Sequence, residues 1–263
     1  MMTMLDVEIR RCLARRLIRW LVVIAIVGCV VAGVIARHEA GPEGTASEFR
    51  LIDLWIRGGD SFLGIAGIFL IIGAVIGGAS MIGAEWRAGT LVTLLTWEPG
   101  RVRVAVAKLL ACGLVASGVA FALQVLWCLA FLPTALGPGT TAGADAEWVR
   151  SLAAAGLRLS VLTGLTAVLM ASIAMIGRNT ATALGAAFAY MIIFENIVRA
   201  WKPWSARFLL GQNGAIFASD ADLRTEAFTR STQAAGLTLT AYALAVAVVA
   251  VTLFWRRDLA SAS

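Results

Sequence analysis

The chain has 263 residues and a net charge of +6; 60% of its residues are hydrophobic and only 14% are charged. Soluble domains carry roughly a quarter charged residues, so too little polar surface exists here to cover a water-facing globule. The Lys and Arg residues sit at the ends of apolar runs, which assigns the basic balance to lipid headgroups and membrane topology, not to nucleic acid.

In chain order, the first feature is an arginine-rich segment over residues 1–19. Leu5, Ile9, Leu13 and Leu17 recur every four residues with arginines between them. That spacing predicts a helix with one apolar stripe, suited to lie in the headgroup plane of a membrane. A plain basic flank would need the charge but not the stripe. The first apolar run is long and others follow it, so it reads as an uncleaved helix, not as a signal peptide.

Six windows are apolar enough to span a bilayer, which takes about 20 residues. They cover approximately residues 18–36, 62–84, 109–132, 152–176, 181–199 and 234–255. Backbone polar groups in lipid must bond internally, so each window is expected to be a helix. The sequence thus predicts an all-α membrane protein forming one transmembrane domain over residues 1–263. The basic residues Arg10, Arg11, Arg15, Arg16, Arg19, Arg87, Arg101, Arg103, Lys108, Arg178, Arg256 and Arg257 fall on one side of that topology. The first opposite loop holds Glu39, Glu43, Glu48, Asp53 and Asp60. Both termini are therefore expected in the cytoplasm of a cell with this chain in its plasma membrane.

Cys12, Cys29, Cys112 and Cys128 contain no CxxC pair and read as small apolar residues. A single histidine, His38, leaves no HExxH motif and no multi-histidine metal site.

The segment from Glu85 to Lys108 is longer than a hairpin between spans needs. It reads Glu85-Trp86-Arg87-Ala88-Gly89-Thr90-Leu91-Val92-Thr93-Leu94-Leu95-Thr96-Trp97-Glu98-Pro99-Gly100-Arg101 before reaching Lys108. Leu91, Leu94 and Leu95 fall on one face of a short helix that Gly89 and Pro99 punctuate. Such a face can lie on the membrane or enter a groove on a partner.

Glu85, Gly89-Thr90-Leu91, Leu94-Leu95, Pro99, Arg101 and Lys108 resemble the cytoplasmic loop of ABC-2 type transporter permeases. Val92 departs from the acidic residue often found there. The resemblance implies six spans and an N-terminal interfacial helix. It also implies a coupling helix between spans two and three that docks on a separate ATPase, with Glu85, Arg87, Gly89, Thr90, Leu91, Leu94, Leu95, Pro99 and Arg101 as the coupling residues. Two permeases, identical or homologous, would form the passage of an exporter. ATP and magnesium would belong to the ATPase partner. This chain has no G-x-x-x-x-G-K-[ST] segment, so no cofactor and no ATP site of its own are expected.

Within the spans, Gly73 and Gly77 form a GxxxG pair, fit for close helix packing, a dimer interface or a passage wall. Gln124, Arg158 and Glu195 are costly in lipid and call for partners or a cavity. Arg158 and Arg199 both compete for Glu195, which with Asn196 could instead face substrate. The aromatic-rich segment from Ala200 to Gln233 fits either a short helix dipping back toward the membrane or a simple aromatic belt. Alternatives to transport are a membrane scaffold, which needs no coupling helix, and an intramembrane lipid-modifying enzyme, for which no reactive cluster is evident.

Overall fold

The computed structural model describes residues 2–39, 62–90, 100–137, 141, 143–219, 223–224 and 228–256. Helix α1 spans Met2–Ala14 and α2 spans Arg16–Glu39; α3 is Phe62–Arg87, α4 is Arg101–Leu136 and α5 is Ala146–Gly177. The next span is composite. It runs through α6 (Thr180–Phe188), a π-helical segment (Ala189–Phe194) and α7 (Glu195–Trp201). A 3₁₀ segment (Pro203–Phe208), α8 (Leu210–Ser219) and a ladder of two-residue strands, β1 (Leu223–Arg224) and β2 (Thr229–Arg230), lead to α9 (Thr232–Arg256).

Six helical stretches are long and apolar enough to cross a membrane: Arg16–His38, Gly67–Arg87, Arg101–Leu136, Ala146–Gly177, Thr180–Trp201 and Thr232–Arg256. Each contains most of one predicted window. At 1.5 Å per residue α4 is about 54 Å long, well beyond a hydrocarbon core of about 30 Å. Helix α1 packs on α4, whose first turns bury Val104, Ala105, Ala107 and Lys108.

Helix α5 is the hub. It packs against α3, α4, α6 and α9, and 61% of its span window is buried, against 11% for α2 and 11% for Thr180–Trp201. The contact layer is built from small residues, as expected where lipid is as apolar as leucine and packing must come from close approach. Ala79, Ala111, Ala167, Ala171 and Ala174 are fully enclosed. Gly78 marks a tight crossing, where a Cβ would strike the backbone of Ala167.

Chain reversals are locally encoded. Asp145 accepts a hydrogen bond from the Trp148 backbone N–H at 2.8 Å and so caps the start of α5. Between α5 and α6 the chain turns on two residues. Arg178 is left-handed (φ 54°), and the Asn179 side chain accepts from the Ala181 N–H at 2.9 Å. Gly89, at φ +66°, closes α3 in the left-handed region that glycine adopts freely.

Residues 1–19 do not form one continuous helix. The helix stops at Ala14 and restarts at Arg16, with Arg15 between. The face turned to the protein is Glu8 and Cys12, each 1% exposed, while Leu13 (46%) and Leu17 (43%) of the apolar stripe point outward. The physical reason lies in what meets Glu8 and Arg15.

Candidate functional site

At one end of the bundle the ends of α1, α3, α4, α5 and α9 converge on an ion cluster and an aromatic stack. Lys108 enters buried in the second turn of α4, with its side chain 2% exposed. Its Nζ donates to Glu8 Oε2 at 2.8 Å and lies 2.8 Å from Glu85 Oε2. Glu85 Oε1 accepts from Arg15 at 2.6 Å, and Arg15 also donates to the Ser80 carbonyl at 3.1 Å. Arg11 reaches Glu8 Oε1 at 3.1 Å from the exposed side. Burying such charges is affordable only with close partners and completed hydrogen bonds. Here two carboxylates share three cations, and Arg15 leaves the helical path to take part. Cys12 lies beside the cluster. Burial pushes its thiol up to about 11, with the Glu8 and Glu85 carboxylates adding to the rise and Arg15 and Lys108 opposing it.

Next to the ions, Trp86 packs edge-on against Phe254 of α9, with centroids 6.2 Å apart. The Arg178 guanidinium sits 5.2 Å over the Trp86 ring. The last turn of α3 is thereby tied to α1, α4, α9 and the α5–α6 turn. The loop to α4 leaves from Ala88 and returns at Gly100. Glu85 belongs to the ion cluster, Arg87 is exposed, Gly89 makes the turn, and exposed Thr90 places its hydroxyl 3.4 Å from the Glu85 carbonyl. Arg101 opens α4. The predicted coupling residues Leu91, Leu94, Leu95 and Pro99 lie outside the described residues.

The opposite end is built around a second buried carboxylate. Glu195, 4% exposed, accepts from the backbone N–H groups of Gly211 (3.2 Å) and Gln212 (3.1 Å) and from Arg199 at 3.1 Å. It thus caps the start of α8 from a different helix and meets the positive end of the α8 dipole. Tyr190 Oη accepts from the Leu210 N–H at 3.0 Å. Asn213, fully buried, donates to the carbonyls of Arg207 and Leu209 and accepts from Arg230 Nε at 3.0 Å. Arg230 in turn reaches Ala234 and Thr238 of α9. The segment after α7 therefore contains a short helix, α8, packed on α9 and α5. It also carries exposed aromatics, Trp201, Trp204 and Phe208, with Arg207 stacked between the last two.

Of Glu195's two candidate partners, Arg199 makes an ion pair; Arg158 is half-buried on α5. Asn196 points the other way. It is exposed, and its amide donates to the Met191 and Ile192 carbonyls at 3.2 and 2.9 Å. Those carbonyls belong to the π-helical segment, whose wider turn changes the usual backbone pairing.

Gly73, Gly77 and Gln124 do come together. They line an apolar cavity of about 550 Å³ between α2, α3 and α4. A Cβ on Gly73 would meet nothing within 4 Å, and one on Gly77 only the Ile18 side chain at 3.5 Å. Of the GxxxG pair, Gly73 therefore faces open space and buried Gly77 packs against Ile18 of α2, while Gly78 crosses close to the Ala167 backbone. Gln124 holds the far wall. Its Nε2 donates to the Ala120 carbonyl (3.0 Å) and to Ser160 Oγ on α5 (2.9 Å). Glu195, Asn196 and Arg158 are not among the residues of this wall.

No protein-family model matches the chain, and no curated protein matches it significantly.

Sequence reasoning missed Glu8 and Lys108 as a pair, and Asn213 and Arg230 as a brace. The first pair carried a readable signal: a glutamate inside an arginine-rich helix and a lysine directly before Leu109 and Leu110. The second had none, because asparagine and arginine are ordinary residues of a polar connection.

Proposed function

We propose that this chain is the membrane-spanning subunit of an ATP-driven transporter of the ABC-2 type, acting as an exporter. In this reading the end bearing the ion cluster faces the cytoplasm, α1 lies at the headgroup level, and the loop between α3 and α4 docks on a separate ATPase subunit. Two copies of the chain, or this chain and a homologous permease, enclose the passage in the plasma membrane. The chain supplies no nucleotide site; ATP and magnesium act on the partner.

One observation carries the proposal. Both roots of the α3–α4 loop are anchored in the ion cluster, Glu85 on one side and Lys108 on the other, with α1 locked between them. A loop that must convert a push from outside into movement of spans needs stiff roots. Displacing it here means moving α1, α3 and α4 together or breaking buried ion pairs. An ordinary connecting hairpin needs no such brace.

The test is purification of the tagged chain from membranes in gentle detergent. A P-loop ATPase should co-purify near one-to-one. Deletion of residues 89–95 should remove it while the chain still inserts and purifies. Retention of the ATPase by the deletion variant, or failure of any ATPase to accompany the intact chain, overturns the proposal.

A further inference from the structure

The composite span Thr180–Trp201 leads directly into the 3₁₀ segment Pro203–Phe208. Trp201 closes the apolar stretch, so the residues that follow lie where hydrocarbon gives way to headgroups. The segment has two sides. Ala206 and Leu209 are buried against the protein, whereas Trp201 is 77% exposed and Trp204 and Phe208 are about half exposed. Lys202 and Arg207 are exposed among these rings.

The backbone beneath the two cations is held in place. The Lys202 N–H donates to the Val198 carbonyl at 2.9 Å, and the Lys202 carbonyl accepts from the Ser205 N–H at 2.9 Å and the Ser205 hydroxyl at 2.7 Å. The Arg207 carbonyl accepts from the buried Asn213 amide at 2.9 Å. Each cation stands on a ring. Lys202 Nζ is 4.9 Å from the Trp201 centroid, and Arg207 Cζ is 5.3 Å from that of Trp204 and 4.8 Å from that of Phe208. Neither cation meets an acid. Among the described residues neither forms an ion pair, and residues 196–219 contain no Asp or Glu. The nearest acid in sequence, Glu195, is buried and already held by Arg199 and the start of α8.

This arrangement specifies a charge. An ammonium keeps donors to spare above a ring, and a stacked guanidinium still presents its edge, whose N–H fork matches phosphate oxygens. A quaternary ammonium, which binds to bare aromatic faces, would here meet rings that already carry a cation. We propose that residues 201–208 form a docking surface for anionic phospholipid headgroups in the leaflet opposite the ion cluster, with Lys202 and Arg207 donating to phosphate and Trp201, Trp204 and Phe208 seated at the acyl boundary. A headgroup whose phosphate is uncompensated gains from both cations; one that carries its own ammonium does not. A Lys or Arg at an anionic membrane surface contributes about fivefold in affinity, so the pair should give about 25-fold. The surface requires neither an ATPase nor a second copy of the chain.

The test uses the full chain in phosphatidylcholine nanodiscs doped with one of two photoactivatable lipids of identical acyl chains, a phosphatidylglycerol or a phosphatidylcholine, each bearing a diazirine near its glycerol. Cross-linked peptides are mapped by mass spectrometry. At low salt the phosphatidylglycerol probe should label residues 201–208 about 25-fold more than its zwitterionic match. Lys202→Gln or Arg207→Gln alone should leave about fivefold, and the two together no preference. The melting temperature should not change, because both side chains are exposed. Labelling of the arginine-rich α1 by the same probe should be unaffected and serves as the internal reference. A second measurement needs no variant: salt that shortens the Debye length to about 3 Å should bring the wild-type preference close to unity. Equal labelling of residues 201–208 by the two probes, a preference that survives the double substitution or high salt, or a segment that neither lipid labels would each overturn the proposal.

Discussion

The two ends of the bundle each bury a carboxylate, and they neutralise it in different ways. Glu8 and Glu85 are held by the side chains of Lys108, Arg15 and Arg11. Glu195 is held largely by backbone N–H groups at the start of α8, with one half-exposed arginine beside it. Arg11 shares α1 with Glu8, but Lys108 and Arg15 reach carboxylates on other elements and can be parted from them by moving those elements. Backbone donors are fixed by the helix that carries them. The first arrangement suits a joint that must hold or release as a unit; the second suits a permanent cap.

That contrast can be broken experimentally. The largest effect should come from Lys108→Met, which leaves Glu8 and Glu85 facing each other without their shared cation. Loss of one partner from a buried pair costs about 3–5 kcal/mol, and thermal unfolding in detergent should register it. Adding Glu8→Gln should recover part of the loss, because the two positions share one interaction. Fully additive losses would mean that the ion cluster is not a unit.

At the other end Glu195→Gln keeps a carbonyl acceptor for the start of α8 and should cost less, about 1–2 kcal/mol, the range of a lost helix cap. Arg199→Ala should fall within about 0.5 kcal/mol, because the arginine is half exposed and water screens the pair. If Arg199→Ala proved the worse of these two changes, the cap would be an ion pair after all.

The smallest effect at neutral pH concerns Cys12. Its folded-state value of about 11 lies above its ordinary 9.0, so the folded protein holds this proton more tightly than the unfolded chain. The associated stability is complete below pH 9 and is lost as pH rises toward 11. In a variant whose other cysteines are alanine, alkylation of Cys12 at pH 8 should be slow. Lys108→Met should accelerate it by loosening α1. Rapid alkylation in the intact protein would show that α1 is not seated on the cluster.

Much of the architecture was legible because lipid leaves the backbone one choice. A run of about 20 apolar residues must be a helix, and all six windows are helical. The segregation of Arg and Lys was legible too. Arg15, Lys108, Arg178 and Arg256 lie on helix ends that the structure joins through Arg15–Glu85, Lys108–Glu8, Arg178–Trp86 and Trp86–Phe254. The role of individual spans was less legible. Gly73 and Gly77 matched a packing motif, but Gly73 lines open space, Gly77 meets only the Ile18 side chain, and Gly78, one residue on, makes the backbone-close contact. A helix apolar on every side bears no mark of which face turns inward.

By itself the sequence determined the solvent of this protein, the number of its spans and the separation of its charges, because hydrophobic length and the position of basic residues are local properties. Only the tertiary structure decided which acid meets which base. Glu8 and Lys108 are 100 positions apart, and Glu195 meets α8 across a turn of irregular chain. Those pairings depend on how each helix is rotated and where its end stops. That is set by the small residues packed around α5, not by any pattern within a single segment.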